Sequence, residues 1–180
     1  MPGSTDVGID GVRLFPLTPH PDDRGSFTEY YRREWIPEMR EMVQGNLSLS
    51  RANVLRGLHF HREQADYWCF ASGRSVTGLY DLRAGSPTEG KKAEIPIDGD
   101  GDRFGLYIPR GVAHGFYAET DVVLIYFVDQ YFTGADEFGV AWDDPDLGID
   151  WPSREPILSY RDRSNGSLAD AMREQPPYPG

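Results

Sequence analysis

Residues 122–128 read Val-Val-Leu-Ile-Tyr-Phe-Val, nearly continuous apolar and β-branched or aromatic. Such a run predicts a central strand covered on both faces. Elsewhere the apolar positions come in short alternating runs broken by glycine or proline: 12–16, 67–71, 75–82, 92–97, 103–108 and 115–118. Residues 19–23 read as a turn, and 24–31 as an extended stretch with Phe27 and Glu29 on one face. Residues 43–50 alternate so that Gln44, Asn46 and Ser48 share a face. Two stretches read as helix: 33–42, rich in Glu, Arg and Met, and 168–174 near the end. Residues 1–9, small and polar, read as flexible. Many short strands at close spacing, with turns at 72–73, 98–101 and 109–111, predict an all-β sandwich or barrel. The acidic 98–102 turn lacks the glutamate of a calcium loop and is assigned to a hairpin.

The 180 residues fit a single domain with a real core. Net charge is −11, from 18 Lys+Arg against 29 Asp+Glu, which argues against nucleic-acid and membrane-surface partners. A lone cysteine, Cys69, excludes an intrachain disulfide and suits a reducing compartment. With no signal-like start and no span-length apolar run, the expectation is a cytoplasmic protein.

The chemistry gathers at residues 54–61, Val-Leu-Arg-Gly-Leu-His-Phe-His, with Asp66 just beyond. In a strand, His59 and His61 point one way while Leu58 and Phe60 point into apolar packing. Arg56 beside them, and His114 from the second polar cluster at 108–116, suggest a pocket lining. Tyr126, inside the apolar 122–128 run, carries a hydroxyl that needs a partner or a substrate.

Several segments, in order, resemble the dTDP-4-dehydrorhamnose 3,5-epimerase family of nucleotide-sugar epimerases. They are Asp23-Arg24-Gly25, Phe27-Thr28-Glu29, Gln44-Gly45-Asn46, residues 53–60, Asp81-Leu82-Arg83, Ser86-Pro87-Thr88, residues 108–116, Trp142-Asp143-Asp144-Pro145 and residues 148–152. The resemblance implies a cupin jelly roll with few helices, acting as a homodimer on a dTDP-linked deoxysugar with neither cofactor nor metal. It implies His59 as base, Asp162 as the carboxylate orienting it and Tyr126 as proton donor on the opposite face of the sugar. Arg24, Glu29, Gln44, Asn46, Arg56, His114, Glu137 and Arg161 fall where the family contacts the diphosphate and sugar, and the segment around Arg24 can reach the partner's site. Phe27, Tyr131 and Phe132 are candidates to stack on the base. A ketone at C4 acidifies the protons at C3 and C5, so a base, a donor and a stabiliser for the enolate are the chemical requirements.

The chain departs from the family pattern at the stabiliser. Asp66 stands where the family places a lysine beside the C4 carbonyl, and His61 replaces a glutamine. One consequence is a local ion pair in which Asp66 holds a protonated His61, whose imidazolium replaces the lysine. Another reading is a metal site of His59, His61, Asp66 and His114, as in metallocupins. The ion pair is the expectation, since the related epimerases are metal-free. A nucleotide-sugar 3,4-ketoisomerase and a non-catalytic sugar-binding cupin complete the alternatives.

Overall fold

A computed structural model describes residues 4–37, 39–101 and 103–174. The strands are β1 (Arg13–Pro16), β2 (Pro19–Asp22), β3 (Gly25–Thr28), β4 (Gln44–Ser50), β5 (Leu55–Phe60) and β6 (Asp66–Ser72). They continue as β7 (Arg74–Asp81), β8 (Lys92–Asp98), β9 (Phe104–Ile108), β10 (Val112–Ala118), β11 (Val122–Val128) and β12 (Phe138–Gly139). Two short helices close the described chain, α1 (Tyr160–Ser164) and α2 (Leu168–Glu174). The long strands form two antiparallel five-stranded sheets, ordered β1-β9-β6-β11-β4 and β12-β5-β10-β7-β8. This is a cupin-type jelly roll, the all-β architecture that the short alternating runs predict.

Alternation along each strand divides its side chains between the shared core and an outer layer. Trp68 and Phe70 of β6, Leu106 and Ile108 of β9 and Leu124 of β11 meet Leu79, Ile95, Ile97 and Phe116 of the second sheet. Burying each such side chain contributes about 1.5–3 kcal/mol. The outer face of the second sheet is covered by the chain's end, with Trp151, Ile149 and Leu168 packed on Leu55, Leu58, Phe60 and Tyr117. Phe15, Leu17, Ile36 and Met39 cover Tyr67 and Cys69 on the outer face of the first sheet.

Several expectations need correction. β11 is an interior strand next to the edge strand β4, and only Val122, Leu124 and Val128 are buried, while Val123, Ile125, Tyr126 and Phe127 are partly exposed. The outer layer stops short of β4, whose Leu47 and Leu49 stay about two-thirds exposed at 64% and 66%. The helix expected over 33–42 is a single 3₁₀ turn, Arg33–Trp35. Pro37 ends it by forcing Ile36 out of the helical region, to φ −131°; residue 38 lies outside the described residues. Residues 19–22 form a strand, and only Asp23 and Arg24 turn, giving a β2–β3 hairpin. The 98–102 segment is not a hairpin turn: β8 and β9 lie in different sheets, so it carries the chain across the sandwich. The Asp98 carboxylate accepts from the N–H groups of Asp100 and Gly101 there, and residue 102 is outside the described residues. Residues 1–3 are too, but Ile9 is fully buried and Thr5 pairs with Leu14, so residues 4–9 are anchored. No described helix is long and apolar enough to cross a membrane.

Candidate active site

The sheets part at one end around a cleft of about 270 Å³. Alternation on four strands aims the polar side chains into it: Gln44, Asn46 and Ser48 from β4, Asp66 and Trp68 from β6, His114 from β10 and Tyr126 from β11. β5 does not alternate strictly. Arg56 and His59, three residues apart, both line the cleft, while Leu55 and Leu58 both face the outer layer. An irregularity in the β5–β10 pairing accounts for this: His114 faces His59, but Phe116 faces Arg56. Gly57 occupies the extra position with φ +126°, where a Cβ would stand 2.7 Å from Gly115 Cα. The expectation that His59, His61 and Arg56 line one pocket is met through this bulge.

His59 Nε2 lies 2.6 Å from Asp162 Oδ1. Asp162 is fixed by its place in α1: the Ser159 hydroxyl caps the helix by accepting from the Asp162 N–H at 3.0 Å and donates to Oδ2 at 2.7 Å. Burial pushes the Asp162 carboxyl up, but the bonds from His59 and Ser159 outweigh it and hold the group below its ordinary range. The ionised carboxylate therefore accepts an N–H from Nε2, leaving His59 Nδ1 to take a proton. Tyr126, between Asn46 and Trp68 in the sheet, carries its phenol at the same cleft. Burial, with the nearby carboxylates of Asp66 and Glu137, raises its pKa and keeps it protonated.

His61, Asp66 and His114 form the buried floor. Nδ1 of His61 donates to the Asp136 carbonyl at 2.5 Å, and Nδ1 of His114 to the Val112 carbonyl at 2.9 Å. The Asp66 carboxylate accepts from Gln64 Nε2 at 2.9 Å and Trp68 Nε1 at 3.0 Å. The expected Asp66–His61 ion pair is not formed: His61 turns toward Asp136 and Glu137, and the imidazole that approaches Asp66 is His114, at 3.8 Å. Burial pushes the His114 imidazole down to about 4 despite Asp66, so this ring is neutral. Nor does His59 join the cluster, its Nε2 being committed to Asp162.

At the mouth, Arg56 bonds Ser50 Oγ and the Leu49 carbonyl, and Arg161 bonds Glu137 at 2.6 Å. Gln44 bonds Asn46 and accepts the Phe132 N–H. Four expected site residues are not at the chain's own cleft. Arg24, 90% exposed, pairs with Asp22, Glu29 pairs with Arg32, and Phe27 is exposed on the same β2–β3 hairpin. That hairpin stands outside both large sheets. Tyr131 is exposed on the 129–137 connection, beside the cleft-lining Phe132. The sequence reading missed Gln64 and Trp68. Trp68 was findable, two residues after Asp66 on the same strand face.

A sequence profile of the family described as dTDP-4-dehydrorhamnose 3,5-epimerase matches residues 6–170. The chain belongs to that family. Among its relatives, the dTDP-4-dehydrorhamnose 3-epimerase of Streptomyces niveus is 38% identical over 173 residues, 92% of this chain and 83% of that protein. The dTDP-4-dehydrorhamnose 3,5-epimerase of Streptomyces griseus is 37% identical over 176 residues, 93% of this chain and 87% of its own. The structure of a dTDP-6-deoxy-D-glucose-3,5-epimerase from Legionella pneumophila, in complex with dTDP-4-keto-L-rhamnose, superposes with a TM-score of 0.90. It covers 100% of both chains at 30% identity. These relatives favour an epimerase over the ketoisomerase, the sugar-binding cupin and the metallocupin that would use His59 as a ligand. Two family-like segments away from the cleft meet in the interior. Asp81, fully buried, accepts from Arg83 Nε at 2.7 Å, Arg83 Nη2 at 2.8 Å, Ser86 Oγ at 2.6 Å and Thr88 Oγ1 at 2.7 Å. The Asp-Leu-Arg and Ser-Pro-Thr segments thus make a structural cluster.

Proposed function

We propose that the protein epimerises a dTDP-4-keto-6-deoxyhexose at C3, C5 or both, with the proton transfers carried by His59 and Tyr126. The observation that carries this reading is the His59–Asp162 contact of 2.6 Å at a cleft that also holds a protonated Tyr126. His59 Nδ1 removes the proton beside the ketone, and the charge developed on the imidazolium is balanced by Asp162. The enolate is reprotonated on the other face by the Tyr126 phenol; solvent then takes the proton from His59 and returns one to Tyr126, so the net change is configuration alone. The nucleotide diphosphate is assigned to the mouth, where Arg56 and Arg161 offer forked donors suited to its oxygens. Arg24, Phe27 and Glu29 are assigned to a homodimer, in which the exposed hairpin of one protomer reaches the cleft of its partner; a monomer in analytical ultracentrifugation would remove that assignment.

Solvent deuterium wash-in, followed by NMR with a dTDP-4-keto-6-deoxyhexose in D₂O, tests the chemistry. The expected result is exchange at C3 or C5, reduced by about 10²–10⁴-fold in His59→Asn. Exchange at one carbon marks a mono-epimerase. Absence of exchange at both, or full exchange in His59→Asn, overturns the reading.

A further inference from the structure

His61, Asp66 and His114 each offer a ligand atom, and these atoms lie within 4.8 Å of one another. All three residues are buried, which places charged and polar groups where each needs a partner. Their outward bonds are already made. Each imidazole gives its Nδ1 hydrogen to a backbone carbonyl, Asp136 for His61 and Val112 for His114, so Nε2 is the nitrogen left with a lone pair. Asp66 is held at both oxygens, by Gln64 and Trp68. Two lone pairs and a carboxylate therefore converge with no donor among them. A proton can bridge only two of the three; a metal ion meets all three at once.

The arrangement has the further marks of a ligand set. Metal-binding imidazoles characteristically donate their other N–H to a carbonyl or carboxylate, and ligating carboxylates are themselves hydrogen-bonded. Ligands at about 2.0–2.2 Å from one ion stand at most roughly 4.4 Å apart, a small side-chain adjustment from the separations here. His114 Nε2 and Asp66 Oδ2, at 3.8 Å, are already inside that limit. Two nitrogens and one carboxylate suit zinc, iron(II), cobalt or manganese and leave coordination positions open toward the cleft.

We propose that His61, Asp66 and His114 bind one divalent transition-metal ion, whose open position faces the substrate's carbonyl oxygen. The second half rests on the epimerase reading. An enolate needs a positive charge at its oxygen, and among the described residues no lysine lines the cleft. Its two arginines stand at the mouth in bonds to Ser50, Leu49 and Glu137. An ion on the floor supplies that charge as a Lewis acid while His59 and Tyr126 move the protons. The ion leaves His59 outside its ligand set, so base and metal act together.

The test uses full-length protein made without a histidine tag. Elemental analysis is expected to find one transition-metal ion per chain. Chelator-treated protein titrated with cobalt(II) alone is expected to develop a visible d–d absorption saturating at one equivalent. Asp66→Asn and His61→Gln are each expected to weaken cobalt binding beyond the roughly 100-fold typical of losing an outer-shell partner. His59→Asn is expected to keep the cobalt spectrum and lose deuterium wash-in. Wild-type protein that takes up no cobalt at micromolar concentration overturns the site, with no variant needed. So does a spectrum identical in Asp66→Asn and His61→Gln. Full deuterium exchange by metal-free protein overturns the Lewis-acid role while leaving the epimerase reading intact. Stoichiometric metal with no exchange on any 4-keto sugar overturns the epimerase reading and leaves the site.

Discussion

Two buried carboxylates, Asp66 and Asp81, stand in neighbouring strands of opposite sheets and meet opposite surroundings. Asp81 is enclosed by donors: the Arg83 guanidinium fork, two hydroxyls and the Arg83 N–H. Burial alone would raise its pKa, but these bonds prevail and hold it below the ordinary value. Asp66 has two neutral donors and faces the Nε2 of His114 on its open side. A closed shell of donors makes a buried charge part of the scaffold, whereas a shell left open to acceptors makes it a receptor for a cation. The same residue type therefore serves stability at one place and chemistry at the other.

The sharpest way to break this contrast is to neutralise each carboxylate in turn. Asp81→Asn removes the carboxylate onto which the buried Arg83 guanidinium forks and is expected to cost about 3–5 kcal/mol in urea unfolding. A loss below that range would place Asp81 outside the scaffold. Acid should separate the two next. With its folded pKa below the unfolded 3.8, Asp81 contributes stability that is complete above that value and is lost as pH falls through the folded one. An acid titration by circular dichroism should lose that part of the transition in Asp81→Asn. The smallest expected effect is that of Asp66→Asn on folding, at most about 1 kcal/mol, because the amide oxygen still accepts from Trp68 or Gln64. A cost comparable with that of Asp81 would make Asp66 structural and erase the distinction.

The sequence exposed much of the site and less of its wiring. Alternation alone puts the His59 and His61 side chains on one face, and likewise Gln44, Asn46 and Ser48, whereas His114 enters only from a second polar cluster. Asp162 could not: it lies 103 positions from His59 and meets it only through the tertiary fold, so only family resemblance pointed to it. Glu, Arg and Met favour helix at 33–42, yet one proline overrides that preference locally. The 19–22 strand was hidden by its two prolines, which an exposed hairpin edge tolerates and a central strand does not. The partner choice of His61 depends on Asp136, 75 positions away, which no local spacing encodes.

The bulge at Gly57 acts as a key that sets the register of β5 on β10. Its backbone approaches Gly115 so closely that a side chain fits at neither position: a Cβ on Gly57 would meet Gly115 Cα at 2.7 Å, and one on Gly115 would meet the Arg56 carbonyl at 2.6 Å. Sliding the strand by one residue would drive Arg56 or Leu58 into that contact. The usual freedom of a strand to slip is thereby removed at the point where it would do most harm, since the same register sets His59 opposite His114. His59 and His114 are held in alignment by two residues that carry no side chain at all.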